Sequence, residues 1–298
     1  MIIASREITI RGRLVRVGAP AGDRFDYFED PAAFISEAQA TASRVDLFTF
    51  VQPLPHTEPT YPYATEVDNF AALPVSTFDD WWKKQIDNKT RNMVRKAEKQ
   101  GVVVTEVPFD YALAAGICDI YNETPIRQGK PFWHYGKNVE TVARENGTFV
   151  EHSVFIGAFV DRKLVGFVKM VLDRRGGQAG MMQILSMLKH RDKAPTNALI
   201  AQAVRSCANR NIPNLVYAQF AYGNKQHDSL VTFKQSNGFK RVDVPRYYVP
   251  LTARGRLALT LGLHRQMADR IPEGLLARLR QARSFWYAQR SPVTHAGR

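Results

Sequence analysis

Residues 154–172 read VFIGAFVDRKLVGFVKMVL. Two apolar runs of strand length, Val154–Val160 and Leu164–Leu172, flank the polar triplet Asp161-Arg162-Lys163, which is the pattern of an antiparallel hairpin. Downstream, Ala179–Leu188 forms a third strand across a looser turn at Arg174-Arg175-Gly176-Gly177. Pro195 then opens a helix to about Asn209, because a missing N–H costs nothing in a first helical turn. Leu215–Phe220 reads as a strand, 228–236 as a helix, and a last strand ends near Tyr248-Val249. Upstream lie a strand at Val102–Val107, a helix over 111–121, an irregular segment at 122–137 and a short helix over 138–145. Strands paired first by hairpins and later alternating with helices predict a mixed-sheet α/β (α+β) fold, not a doubly wound parallel sheet.

Further out, Thr77 caps a predicted helix that carries Phe78, Trp82, Ile86, Met93 and Ala97 at near-helical spacing and stops at Gly101. Its other faces hold Lys83, Lys84, Lys89, Arg91, Arg95, Lys96 and Lys99. Nearer the start, Ile8-Thr9-Ile10 and Leu14–Val17 read as an edge hairpin, Pro31 as a helix start and Val45–Val51 as a buried strand. The connector QPLPHTEPTYPY that follows is too rich in proline for regular structure. Two basic amphipathic helices are predicted after residue 250, at 254–261 and 275–287. The chain thus divides into an N-terminal α/β region (1–76), a central domain (77–250) and a basic helical C-terminal extension (251–298).

Of the 298 residues 45% are hydrophobic and 23% charged, ordinary for a folded protein, so a mostly disordered chain is excluded. No run approaches the roughly 18 apolar residues that span a bilayer, and the first residues lack a secretory pattern. Cys118 and Cys207 are too few for a disulfide framework or a cysteine zinc site, so no metal is expected and a cytoplasmic location is. The formal net charge is +13, from 41 Lys/Arg against 28 Asp/Glu. It is uneven: −6 over 1–80, +3 over 81–150, +9 over 151–250 and +7 over 251–298. Such a basic C-terminal two-thirds suits an anionic partner such as CoA, RNA, a nucleotide sugar or an acidic lipid surface.

The element order β-α-α-β-β-β-α-β-α-β over 102–250, with the hairpin of 155–167, resembles the GNAT superfamily of acyl-CoA N-acyltransferases. In that family a loop of pattern Gln/Arg-x-x-Gly-x-Gly/Ala after the fourth strand cradles the CoA pyrophosphate. The matching residues here are Arg191-Asp192-Lys193-Ala194-Pro195-Thr196-Asn197, with both glycines replaced, by Ala194 and Thr196. The resemblance therefore implies an acyl-CoA site at Arg191, Lys193, Ala194, Thr196 and Asn197, with acetyl-CoA or another acyl-CoA as co-substrate. A helix N-terminus beside two cations is also a sound anion site on physical grounds.

Phe233-Lys234, four residues before Gly238-Phe239, stands where GNAT enzymes carry a tyrosine. Together with Arg91-x-x-x-Arg95-Lys96-Ala97-x-Lys99-x-Gly101 it is similar to the FemAB-like branch, whose members include aminoacyltransferases that use aminoacyl-tRNA. In that branch the resemblance implies that Lys234 stabilises the oxyanion of a tetrahedral intermediate.

Residues 121–136, YNETPIRQGKPFWHYG, form the least ordinary segment, and in the GNAT arrangement it lies over the acceptor pocket. His134 and Glu123 are the candidate general bases, since either can be tuned by burial. Arg127, Trp133 and Tyr135 are candidates for binding the acceptor; Arg95 and Lys96 are candidates for a phosphorylated acceptor or a tRNA backbone. The expectation is an N-acyltransferase moving an acyl, in the first instance acetyl, group from acyl-CoA to an amine on a small molecule or cell-envelope precursor. Two alternatives stay open: an aminoacyl-tRNA donor, with tRNA as partner, and a non-catalytic binding protein on the same fold. The basic extension 251–298, with Phe285-Trp286 beside arginines, would suit peripheral contact at the inner membrane face. Oligomeric state leaves no trace in the sequence.

Overall fold

A computed structural model describes residues 1–3, 5–41, 44–221 and 229–264. In chain order the elements are β1 (Ile2–Ile3), β2 (Arg6–Arg11), β3 (Val17–Pro20), α1 (Pro31–Ala40), β4 (Leu47–Val51) and β5 (Ala64–Pro74). Then come α2 (Phe78–Asp80) running into a π-helical turn (Trp81–Gln85), α3 (Asn88–Lys99), β6 (Val103–Val107) and α4 (Tyr111–Tyr121). A small hairpin of β7 (Ile126–Arg127) and β8 (Lys130–Pro131) precedes α5 (Val139–Asn146), β9 (Ser153–Val160), β10 (Lys163–Leu172) and β11 (Ala179–Ser186). A 3-10 turn (Leu188–Lys193) leads into α6 (Pro195–Asn209), followed by β12 (Asn214–Gln219), α7 (Ser229–Ser236), β13 (Lys240–Pro250) and α8 (Ala253–Thr260).

Among the described residues eleven strands form one sheet in the order β1-β2-β3-β4-β13-β5-β12-β11-β10-β9-β6. Neighbours are antiparallel except β3–β4 and β11–β12, so the sheet is mixed, as the sequence predicts. From β6 to β13 the order of elements is the expected GNAT order, with the β7–β8 hairpin added inside the irregular segment. The β9–β10 turn places both Asp161 (φ 49°) and Arg162 (φ 63°) in the left-handed region, which matches the twist of a two-residue hairpin.

Two features depart from the sequence reading. The helix expected from Thr77 to Gly101 is broken: Ile86 is extended and Asp87 starts a second helix by accepting from the Thr90 N–H at 2.7 Å. Arg91 closes the break, donating from Nη1 to the carbonyls of Trp82 and Ile86, both at 2.7 Å. The sequence reading also assigns no element to 64–74, yet β5 is an eleven-residue strand wedged between β12 and β13. Residues 1–76 are thereby built into the sheet of the later residues. Of the two predicted C-terminal helices, the first is α8, and 275–287 lies outside the described residues. No helix among the described residues is long and apolar enough to cross a membrane.

Helices cover both faces of the later half. Val94, Ala97, Leu199, Ala203 and Val204 of α3 and α6 pack on one face against Ile156, Ala158 and Val165. Leu113, Ile117 and Tyr121 of α4 and Val142 of α5 cover Phe155, Leu164 and Phe167 on the other. A separate aromatic core of Phe28, Phe34, Phe48, Phe50 and Tyr247 seats the N-terminal elements.

Candidate active site

β11 and β12 run parallel and pair at Ala179–Leu215 and Gly180–Val216, after which they part. On its other side β12 slips register against β5 between Val216 and Gln219. A strand that leaves its neighbour exposes backbone carbonyls that something must satisfy. Here Lys234 of α7 does so. Its side chain is fully buried, and its Nζ donates to the carbonyl oxygens of Gln219 and Phe220. The ammonium lies 4.8 Å from the ring centroid of Tyr217. α7 is held in place from the far side, where Trp81 Nε1 donates to Asn237 O (3.0 Å) and Thr90 Oγ1 to Ser236 O (2.8 Å). The strand opening thus has a positive charge at its wall, fixed by hydrogen bonds and sealed from water.

The start of α6 lies against the end of β11 and the end of α7, beside the parted strands. Ala194, its N-cap, sits in the left-handed region (φ 51°) and brings no capping side chain. Pro195 has no N–H, and the Asn197 N–H turns back onto Ala194 O at 3.2 Å. The Thr196 hydroxyl pairs with Ser186 Oγ at 2.8 Å, and Asn197 Nδ2 donates to Asn237 Oδ1 at 3.3 Å, tying α6 to the end of α7. Just upstream, the amides of Leu188 and Lys189 are taken by the Glu123 carboxylate, at 2.7 and 2.9 Å. Arg191 is exposed, and Lys193 Nζ reaches Gln100 O at 3.4 Å. A pyrophosphate cradle needs several amides aimed at one point. Here the amides of Leu188, Lys189 and Asn197 are taken and Pro195 has none, so fewer backbone donors remain than such a cradle uses, and the side-chain cations Arg191 and Lys193 carry more of any anion contact.

Beyond its two amides, Glu123 accepts from Arg127 Nη2 at 2.9 Å. Three donors fill most of the lone pairs a carboxylate has, which argues against Glu123 as a general base. Arg127 is spent likewise: it also donates to Ser186 O and Ile120 O and lies 4.9 Å from the Phe132 ring. The pair fastens the irregular segment to the turn before α6.

His134 is buried between Tyr121 (centroids 4.0 Å) and Trp133 (3.5 Å). Its Nδ1 is 3.4 Å from Lys137 Nζ, which Glu145 grips at 2.6 and 2.8 Å. Burial first, and Lys137 second, push the imidazole down to about 4. It is neutral at pH 7, and a base that weak is poorly matched to proton abstraction there. Tyr121 below it donates its hydroxyl to Gln183 Oε1 on β11 at 2.6 Å, which puts a polar pair on the α4 face of the sheet. Gln183 is not among the sequence candidates, since nothing marks it within an ordinary strand. Trp133 (71% exposed) and Tyr135 (47%) lie on the outer rim. Arg95 and Lys96 project to solvent from α3, with Arg95 over the Trp82 ring at 5.4 Å. The structure therefore gathers Lys234, Thr196 and Asn197 at the opening, links Glu123 and Arg127 to its edge, and leaves Arg95 and Lys96 on an outer helix. Among the described residues no cluster of His, Cys, Asp or Glu could hold a metal ion.

No family model and no curated protein matches the chain. Solved structures do. The C-terminal DUF2156 domain of a protein named as a lysylphosphatidylglycerol synthetase, from Agrobacterium fabrum, superimposes with a TM-score of 0.57 at 12% identity, over 87% of this chain and 86% of that one. L-PGS from Bacillus licheniformis gives 0.55 at 14% identity, over 81% and 80%. FemX gives 0.48 at 10% identity, over 79% and 72%. Identities this low speak for architecture alone: the fold is GNAT-like, in the arrangement shared with these proteins.

Proposed function

We propose that the chain is an acyltransferase whose reaction takes place where β11 and β12 part, with an aminoacyl ester carried on tRNA as donor. The observation that carries the reading is the buried ammonium of Lys234 at the wall of that opening. A nucleophilic amine of the acceptor would attack the ester carbonyl carbon from the α4 side, near the Tyr121–Gln183 pair. As the new C–N bond forms, negative charge gathers on the carbonyl oxygen, and a fixed cation in a water-poor site stabilises it most strongly. The C–O bond to the ribose then breaks, and the proton lost by the amine balances the one gained by the leaving hydroxyl. Neither His134, neutral and stacked, nor Glu123, triply bonded, is needed as a base in that sequence.

Two features favour tRNA over CoA as carrier. Two amides of the turn before α6 are already taken by Glu123, while the surface around it is rich in lysine and arginine. One of the similar proteins is named as a lysylphosphatidylglycerol synthetase, and joining a lysyl group to a lipid is also aminoacyl transfer. The GNAT order of elements and the cations Arg191 and Lys193 keep acyl-CoA as the competing donor.

Single-turnover assays with labelled aminoacyl-tRNA and with acetyl-CoA, against a panel of amine acceptors, decide between them. Lys234→Met is expected to slow transfer by about 10²–10³-fold, the usual effect of removing one oxyanion donor, with Lys234→Arg retaining part of the rate. Transfer from acetyl-CoA alone would replace the donor. Unchanged rates in a folded Lys234→Met protein would remove Lys234 from the chemistry.

A further inference from the structure

Outside the opening, the outer face of α2, the π-helical turn, α3 and α6 carries two stacked rings with a cation at each end. The Arg95 guanidinium lies 5.4 Å from the Trp82 centroid, and Trp82 stacks on Phe78 (5.8 Å, 21° between planes). The Arg205 guanidinium covers Phe78 at 4.0 Å. Both arginines are exposed, the two rings are half-buried, and neither arginine is in an ion pair among the described residues. An arginine held over a ring by a cation–π contact is partly ordered, so its solvent side can receive a further planar group at reduced entropic cost.

Lysines continue the pile toward the active site. Arg95 and Lys99 are four residues apart on α3 with Lys96 beside them, and Glu98 is the single acid of that helix. The contact of Lys193 with Gln100 O joins the end of α3 to the cationic turn before α6. α6 itself carries no acid from Pro195 to Asn209. Arg205 lies ten residues into it, about 15 Å from its start, which is the span of a few nucleotides of extended strand.

We propose that this face binds single-stranded RNA, with bases stacking on the Arg95 and Arg205 planes and phosphates running along Lys96, Lys99 and Lys193 toward the opening. Flat stacking surfaces interleaved with unpaired cations are what an unpaired nucleic acid strand recognises without sequence preference. A lipid surface would call for a continuous set of exposed apolar side chains among the cations; the exposed ones are dispersed, at Leu188 in the turn before α6, Val103 on β6, Trp133 on the rim, and Leu257 and Leu261 in and just after α8. The proposal takes from the aminoacyl-tRNA reading only the expectation that the bound strand leads into the site.

The test is fluorescence anisotropy with a labelled unstructured 12-nucleotide RNA and with deacylated tRNA, from 50 to 200 mM KCl. Arg95→Gln/Arg205→Gln is expected to weaken binding about tenfold or more at fixed salt, with the salt slope almost unchanged. Lys96→Glu/Lys99→Glu is expected to flatten the slope by about 0.7 for each phosphate no longer neutralised. Circular dichroism and Tm confirm that the variants fold. Absence of binding by the wild type, wild-type affinity in the Arg→Gln pair, or binding of phosphatidylglycerol vesicles but not RNA would overturn the proposal. RNA binding that depends on the two arginines without any aminoacyl transfer would sink the donor reading alone. Transfer from aminoacyl-tRNA with an unchanged KM in the Arg→Gln pair would sink this surface alone.

Discussion

Sandwiched between Tyr121 and Trp133, the His134 ring has little room to carry charge. Its folded-state value is about 4 against about 6.5 in the unfolded chain. The unfolded state therefore binds a proton that the folded state refuses. The resulting stability is present above pH 6.5 and is lost as pH falls through 4. Discounted for the solvent that reaches one side of the ring, the effect amounts to about 1–2 kcal/mol. His134→Phe keeps the ring stack without the titration, so wild type should lose stability relative to it between pH 6.5 and 4, by urea unfolding at pH 7, 5.5 and 4. Parallel curves would mean that the imidazole already reaches solvent. The sequence marks this residue, but nothing in it separates a base from a packed ring; that depends on which side chains the fold brings to its two faces. Lys169 teaches the same point. It is a charge inside an apolar strand, and its fully buried Nζ donates to Asn146 O and Thr148 Oγ1, holding the end of α5. Burial pushes it down to about 8.

At the scale of elements, the start of α6 and the β9–β10 hairpin are legible because their signals are local: a Pro at N1 and a polar turn between apolar runs. β5 is not, because its sequence ATEVDNFAALP opens polar and buries Asp68. An acid inside a central strand is tolerable only with distant partners, and a linear pattern cannot show them. Local sequence is similarly silent on how α8 docks. Thr252 caps it by accepting from the Gly255 N–H at 3.1 Å, while donating to Asp46 Oδ1 at 3.0 Å. A Cβ on Gly255 would fall 1.8 Å from the Asp46 carbonyl oxygen, a backbone atom that cannot swing aside. Gly255→Ala is expected to cost about 1–3 kcal/mol or to lift α8 from β4. Lowered Tm, or faster proteolysis within 253–260, would register it; a variant as stable and as resistant as wild type would show that the contact relaxes freely.

The whole molecule is joined by one charged network that crosses the sheet. Arg246 of β13 donates to Asp23 at 2.7 Å and to Asp68 of β5 at 2.8 Å, and Arg24 reaches Asp68 at 2.8 Å. Gln219 of β12 donates to the same Asp68 at 3.1 Å, and its own carbonyl oxygen accepts from Lys234. Burial alone would raise the Asp68 carboxyl, but Arg246 and Arg24 outweigh that and hold it below the usual range. A loop of the N-terminal region, three central strands and the candidate catalytic lysine thus share one set of bonds. Arg246→Met leaves the buried Asp68 and the half-buried Asp23 with one cation between them, and breaking such a cluster from one side costs about 2–4 kcal/mol. Because β5 sits between β12 and β13, that loss should lower one transition for the whole chain, not a separate one for residues 1–76. Urea unfolding followed by tryptophan fluorescence, whose four reporters Trp81, Trp82, Trp133 and Trp286 all lie after residue 76, and by far-ultraviolet circular dichroism should give coincident curves in wild type and variant. If the circular dichroism signal instead fell in two steps, with the tryptophans following only the second, the N-terminal region would be a unit that folds apart from the sheet it completes.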